Sequence, residues 1–229
     1  MREEDLRRRC AKKAMEYIKN DAIIGLGAGR NIACLIEQIR EDIAKNNSKI
    51  RIVTPSDNTR NICMRHGIEV IPTTFMEELD VAFDGCGEVD RNFYASKGGG
   101  GVFTKEKIIG AMAKEYILLI DENKLKKKLG LTPSISLEVV KDGLGYVSKM
   151  VKNLGGNPVV RTSSNKDGYL ISDQGNVILD IRFNAIADFK KLNDDLNQMT
   201  GVIGTSLFTG EVTKVIVAGE DGVRVLSKN

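Results

Sequence analysis

Apolar residues recur at helical spacing from Leu6 to Ile18, which predicts an amphipathic first helix. The pattern then switches. Ala22 to Leu26 is a short apolar run ending in Gly27-Ala28-Gly29, and Asn31 to Ile43 returns to helical spacing. A strand, a glycine turn and a helix are expected in that order. Ile50 to Val53 predicts a second strand closed by Thr54-Pro55-Ser56, and Asp57 to His66 a helix that Gly67 ends. Glu69 to Pro72 predicts a third strand and Val81 to Asp84 a fourth. Beyond a glycine run, Lys105 to Lys114 predicts a helix with Thr104 as its N-cap, and Tyr116 to Ile120 an apolar strand ending at Asp121. Strands that are apolar throughout and alternate with helices indicate an α/β fold with a doubly wound parallel sheet. Ligands of such sheets bind beyond the carboxyl ends of the strands, where Gly27–Gly29, Thr54–Ser56, Asp84–Asp90 and Asp121–Lys124 fall.

After Gly130 the pattern changes. Leu137 to Val140, Pro158 to Arg161, Tyr169 to Ser172 and Val177 to Phe183 read as strands, the middle two around the polar turn Ser163 to Gly168. Gly145 to Leu154 and Ala187 to Met199 read as helices. This predicts a smaller α+β domain of split βαβ type. Lys214 to Ala218 and Gly222 to Leu226 are expected as terminal strands. The expected division is residues 1–130 plus 205–229 for the parallel-sheet domain and 131–204 for the smaller one.

Composition narrows the function classes. A net charge of +3, no tryptophan and 5% aromatics argue against a nucleic-acid partner. Apolar runs such as Tyr116 to Ile120 are far shorter than the ~20 residues of a membrane span, so no membrane partner is expected. The polar start MREEDLRRRC does not read as a secretory signal. Cys10, Cys34, Cys63 and Cys86 are widely spaced without a CxxC pair, so reduced cytosolic thiols are expected. A single histidine, His66, at a helix end excludes a multi-histidine metal site, and no metal or cofactor is expected.

Candidate chemistry concentrates in Lys97-Gly98-Gly99-Gly100-Gly101-Val102-Phe103-Thr104-Lys105-Glu106. Consecutive glycines are entropically costly and suit backbone that approaches a ligand or takes positive φ. A cation before the run and a carboxylate at a helix start after it suit a small phosphorylated substrate, with Glu106 for proton transfer. The competing reading is a flexible glycine linker. Asp84-Gly85-Cys86-Gly87-Glu88-Val89-Asp90 crowds three carboxylates at a strand end. Asp84 there suits either acid work or turn capping, and Glu88 and Asp90 read as solvated or structural. Gly27, Ala28 and Gly29 form a phosphate-type turn without the third glycine of a dinucleotide fingerprint, and Arg30 and Asn31 follow at the helix start. Lys124 follows an apolar strand and points toward the same crevice, whereas Lys126-Lys127-Lys128 reads as a solvated face.

These segments, with Asp173-Gln174-Gly175-Asn176-Val177-Ile178-Leu179-Asp180, come in the order found in type A ribose-5-phosphate isomerases, which the chain resembles along nearly its whole length. The resemblance implies a Rossmann-like domain joined to a ferredoxin-like one, and a cytoplasmic homodimer or homotetramer. It implies metal-free isomerisation of ribose 5-phosphate and ribulose 5-phosphate. Glu106 matches the family's proton-transferring base. Asp84 and Lys97 match the pair that handles ring opening and the sugar oxygens. Gly98, Gly99 and Gly100 match substrate-binding backbone, and Lys124 a substrate-binding lysine. Gly27, Ala28, Gly29, Arg30, Asn31, Gly85 and Gly87 fall in the remaining substrate-binding segments.

There are departures. The family's Asp-Gly-Ala-Asp-Glu is Asp84-Gly85-Cys86-Gly87-Glu88 here, and its Gly-Thr-Gly-Ser-Thr is Gly27-Ala28-Gly29-Arg30-Asn31. Arg7 stands where the family often has lysine. Three readings follow: a ribose 5-phosphate isomerase, an isomerase of a different sugar phosphate, and a phosphosugar-binding relative without catalysis.

Overall fold

The computed structural model describes residues 3–130, 134–164 and 166–228. Helix α1 (Glu3–Ala14) leads to β1 (Ile23–Leu26), α2 (Arg30–Asn46), β2 (Arg51–Val53), α3 (Asp57–Arg65) and β3 (Val81–Asp84). Then come β4 (Glu88–Asp90), β5 (Ala95–Ser96), α4 (Phe103–Met112), β6 (Tyr116–Asp121) and β7 (Leu125–Lys126). The second half begins with β8 (Ile135–Val139), α5 (Leu144–Asn153), β9 (Gly156–Val160), β10 (Thr162–Ser163), β11 (Lys166–Tyr169) and β12 (Val177–Phe183). It ends with α6 (Phe189–Asn197), β13 (Val202–Thr205), β14 (Leu207–Phe208), β15 (Lys214–Gly219) and β16 (Gly222–Ser227).

The main sheet runs β16-β15-β6-β3-β1-β2, parallel except for the edge strand β16. Successive side chains of a strand face opposite sides. Ile117 and Leu119 of β6 therefore pack with Cys10, Ile32, Leu35 and Cys63 from α1, α2 and α3, while Tyr116, Leu118 and Ile120 pack with Phe103 and Ile109 of α4. Both faces are covered, which is why the strands read as unbroken apolar runs. From β1 the chain passes to β2 on one side and later to β3 on the other. The connections diverge between β1 and β3, and that opens a crevice at their carboxyl ends.

The second sheet, β13-β8-β12-β9, is antiparallel and is built as strand-helix-strand-strand-helix-strand, the ferredoxin-like arrangement. Its own core includes Leu137, Val147, Val151, Leu179 and Leu196. A third sheet of short strands, β14-β5-β4-β7, carries the loops that flank the crevice.

Several expected elements differ. Glu69–Pro72 is not a strand: it makes one bridge, Ile52 to Val70, because Pro72 lacks an N–H and a 3-10 turn over Thr73–Phe75 leads the chain away. Helix α4 starts at Phe103 with Val102 in the cap position, and the Thr104 hydroxyl is buried without a partner instead of capping. The strand expected over Tyr169–Ser172 lies earlier, at Lys166–Tyr169, so the expected turn Ser163–Gly168 is shorter; its residue 165 lies outside the described residues. The short strands β4, β5, β7 and β14 were not expected from the pattern. Residues 131–133, at the expected domain junction, also lie outside the described residues.

Candidate active site

Asp84 closes β3 at the crevice and is 1% exposed. Its approach depends on Gly27, since a Cβ at that position would lie 2.0 Å from the Asp84 carboxyl carbon. Oδ1 of Asp84 accepts from the Gly85 N–H at 2.7 Å and the Ala28 N–H at 3.4 Å. Oδ2 accepts from the Tyr116 hydroxyl at 2.9 Å and meets the Lys97 ammonium at 3.0 Å.

Lys97 follows β5 and is itself buried. Its Nζ also lies 3.4 Å from Oε2 of Glu106, donates to the Gly85 carbonyl, and sits 5.6 Å from the centroid of the Phe208 ring. One ammonium is thus shared by two buried carboxylates. Burial alone would push the Lys97 ammonium down, but the facing charges of Asp84 and Glu106 outweigh it and raise it. Glu106, in the first turn of α4, is pushed up to about 7, first by burial and then by the charge of Asp84, against the pull of Lys97. The Cys86 thiol is raised to about 12 by burial and is inert as a nucleophile at neutral pH.

The glycine run is a tight turn, not a linker. Gly98 has φ +105°, its Cβ would crowd Ser206 at 2.9 Å, and the Gly101 N–H closes onto its carbonyl at 3.2 Å. That carbonyl also accepts from Arg161 at 2.8 Å. The same guanidinium grips Asp180 at 2.6 and 2.8 Å and Ser136 at 2.7 Å. The loop is therefore pinned from the antiparallel sheet, leaving Gly99 and Gly100 exposed to the crevice.

Ala28, Gly29, Arg30, Asn31, Asp84, Gly85, Gly87, Lys97, Gly98, Gly99, Gly100, Glu106 and Lys124 line one cleft of about 550 Å³. Gly27 lies beneath it, backing Asp84. Asn31 is 8% exposed and its amide is committed to the Leu119 carbonyl at 2.6 Å. Arg30 is exposed, 3.7 Å from Glu3, and Arg7 holds the same Glu3 carboxylate at 2.5 Å. Glu88 and Asp90 are structural: they accept from the N–H groups of Gly130 at 3.1 Å and of Asn92 at 2.8 Å. Glu3, Arg7, Cys86, Gly101, Val102, Asp121 and Asn123 complete the wall. Among the described residues no group of three His, Cys, Asp or Glu side chains could hold a metal ion. Tyr116 and Arg161 were not legible as site residues, because one sits in an apolar strand and the other reaches the loop from a distant part of the chain.

Fold and site together define a two-part α/β protein with a buried carboxylate–ammonium–carboxylate centre at the switch point of its sheet. The family model for ribose 5-phosphate isomerase A (phosphoriboisomerase A) matches residues 51–222. The Ribose-5-phosphate isomerase A of Methanocaldococcus jannaschii is 35% identical over 229 residues, covering 100% of both chains. The solved structure of that organism's enzyme superposes with a TM-score of 0.92 at 34% identity, over 99% of this chain and 100% of the other. A D-ribose-5-phosphate isomerase solved in complex with phospho-erythronic acid gives 0.93 at 32% identity over 100% of both chains. The chain belongs to the ribose 5-phosphate isomerase A family.

Proposed function

We propose that this protein interconverts ribose 5-phosphate and ribulose 5-phosphate through an enediol, with Glu106 as the base. The observation that carries the reading is the Lys97 ammonium held 3.0 Å from Asp84 and 3.4 Å from Glu106 on the wall of the cleft. With the open-chain aldehyde bound, the Glu106 carboxylate takes the C2 proton. The C–H electron pair forms the C1–C2 double bond, and the carbonyl pair moves onto O1, which gains a proton. Glu106 then returns its proton to C1 while O2 loses one, leaving the ketone at C2. Lys97 offsets the charge that develops on the oxygens, and Asp84 fixes Lys97. Burial serves this chemistry because it raises Glu106 toward the operating pH, where a base is most effective.

The ligand of the related complex, phospho-erythronic acid, carries a phosphate and a carboxyl group. The cleft offers matching cations in Lys97 at the centre and Arg7, Arg30 and Lys124 at the rim. The second reading, an isomerase of a different sugar phosphate, is favoured by Ala28, Arg30, Asn31 and Gly87, where the loops facing the glycine run lack hydroxyl and carboxylate groups. Action as a homodimer or homotetramer in the cytoplasm is part of the proposal.

Purified protein mixed with ribose 5-phosphate is expected to yield ribulose 5-phosphate, and Glu106→Gln to lower kcat by about 10³-fold. Absence of turnover by folded wild type sinks the reading. Faster turnover of another member of a sugar-phosphate panel selects the second one.

A further inference from the structure

Tyr116, the first residue of β6, is 1% exposed. Its ring stacks on Phe208, with centroids 6.0 Å apart and planes 20° apart. Gly110 also packs against it, where a Cβ would come within 3.3 Å of the ring. Gly110 is one turn beyond Glu106 on α4, so the helix that carries the base packs against this ring. A phenylalanine would fill the same slot, so packing leaves the hydroxyl unexplained. A buried phenol requires a partner, and the partner here is Oδ2 of Asp84 at 2.9 Å.

With that bond Asp84 has four donors: two backbone N–H groups on Oδ1, and Tyr116 and Lys97 on Oδ2. A carboxylate offers about four lone-pair sites, so these four donors fill it. Of the two side-chain donors, Lys97 lines the cleft and Tyr116 does not. Without the phenol, one Oδ2 site would point at an apolar ring edge with nothing to accept from.

Resting on the isomerase reading, we infer that Tyr116 is a positioning residue: its phenol fixes the Asp84 carboxylate, and so holds Lys97 in line with Glu106. The titratable groups around Asp84 are Lys97 on the glycine loop, Glu106 on α4, Cys86 on the loop after β3 and Tyr116 itself, with Asp121 and Lys124 across the cleft. Asp84 and Glu106 share one ammonium. Without the phenol Asp84 holds Lys97 less firmly, the pull of the ammonium on Glu106 weakens, and the Glu106 carboxyl rises further.

The test is the pH profile of ribose 5-phosphate turnover, from about pH 5 to 9, for the full chain and Tyr116→Phe. In the variant kcat is expected to fall roughly tenfold with KM within about twofold. The acid midpoint is expected to rise by about half a unit or more. A fluorinated tyrosine at position 116, a stronger donor that keeps the ring, is expected to move the midpoint the other way, and it carries the test if Tyr116→Phe does not fold. An unmoved midpoint in either substitution, with or without a fall in kcat, overturns the inference, since lost packing alone would leave it in place. Absence of turnover by wild type would instead overturn the isomerase reading.

Discussion

Glu106 brings the physics of the site to one residue. Its carboxyl is raised from 4.5 to about 7, chiefly by burial and next by the charge of Asp84. A raised carboxyl favours the protonated folded state, so this contribution to stability is complete below about pH 4.5 and is lost as pH rises through about 7. Glu106→Gln stays neutral throughout and escapes the loss. Denaturant unfolding is expected to show the variant gaining on wild type between those limits, by on the order of 1–3 kcal/mol above pH 7. A difference that is flat with pH, or of opposite sign, refutes this account of the shift. Asp84 and Lys97 were legible in the sequence because each is a charged residue beside glycine at an element end, and Glu106 because it stands in the first helical turn after the glycine run. Tyr116 was not, because in an apolar strand its hydroxyl gives no signal until the neighbouring strand brings Asp84 within 2.9 Å.

At the scale of elements, the parallel strands and the helices were legible because burial on both faces, or on one stripe, leaves a period in the chain. The strands β4, β5, β7 and β14 span only two or three residues, too few for any period to show. Their pairing follows from where larger elements leave the chain. The same holds for the link from the antiparallel sheet to the glycine loop. Arg161 follows β9, and nothing local marks it as the strut of Gly98, whose carbonyl it holds at 2.8 Å. Burial works upward on Asp180, yet Arg161 and Ser136 hold its carboxyl below the usual range, so the strut is anchored by a charged partner. Arg161→Met leaves that carboxylate half-buried and the loop released. Steady-state kinetics should show kcat/KM falling roughly tenfold, and calorimetry a Tm lower by roughly 2–6 °C. An unchanged kcat/KM would mean that the glycine turn holds its shape without the strut.

For the whole molecule the decisive feature is continuity between the two sheets. Ile178 of β12 is fully buried in the same apolar cluster as Leu118 and Ile120 of β6 and Phe103 of α4, with Leu170 packed against it. The halves do not have wholly separate cores, so they should unfold as one unit and give a single calorimetric transition. The cleft sits on that junction. Its walls are loops after β1, β3 and β6 on one side, and on the other the glycine turn that Arg161 ties to the antiparallel sheet. A ligand touching all of them binds only when both halves are folded and stabilises the whole chain. At a hundredfold excess over Kd, phospho-erythronic acid should add about 2.7 kcal/mol, or roughly 5–10 °C in Tm for a chain of this length, without splitting the transition. In Lys97→Met the shift should disappear, because the ligand's central cation is gone. Two transitions, of which only one moves, would show instead that the sheets fold independently and that the cleft belongs to one of them.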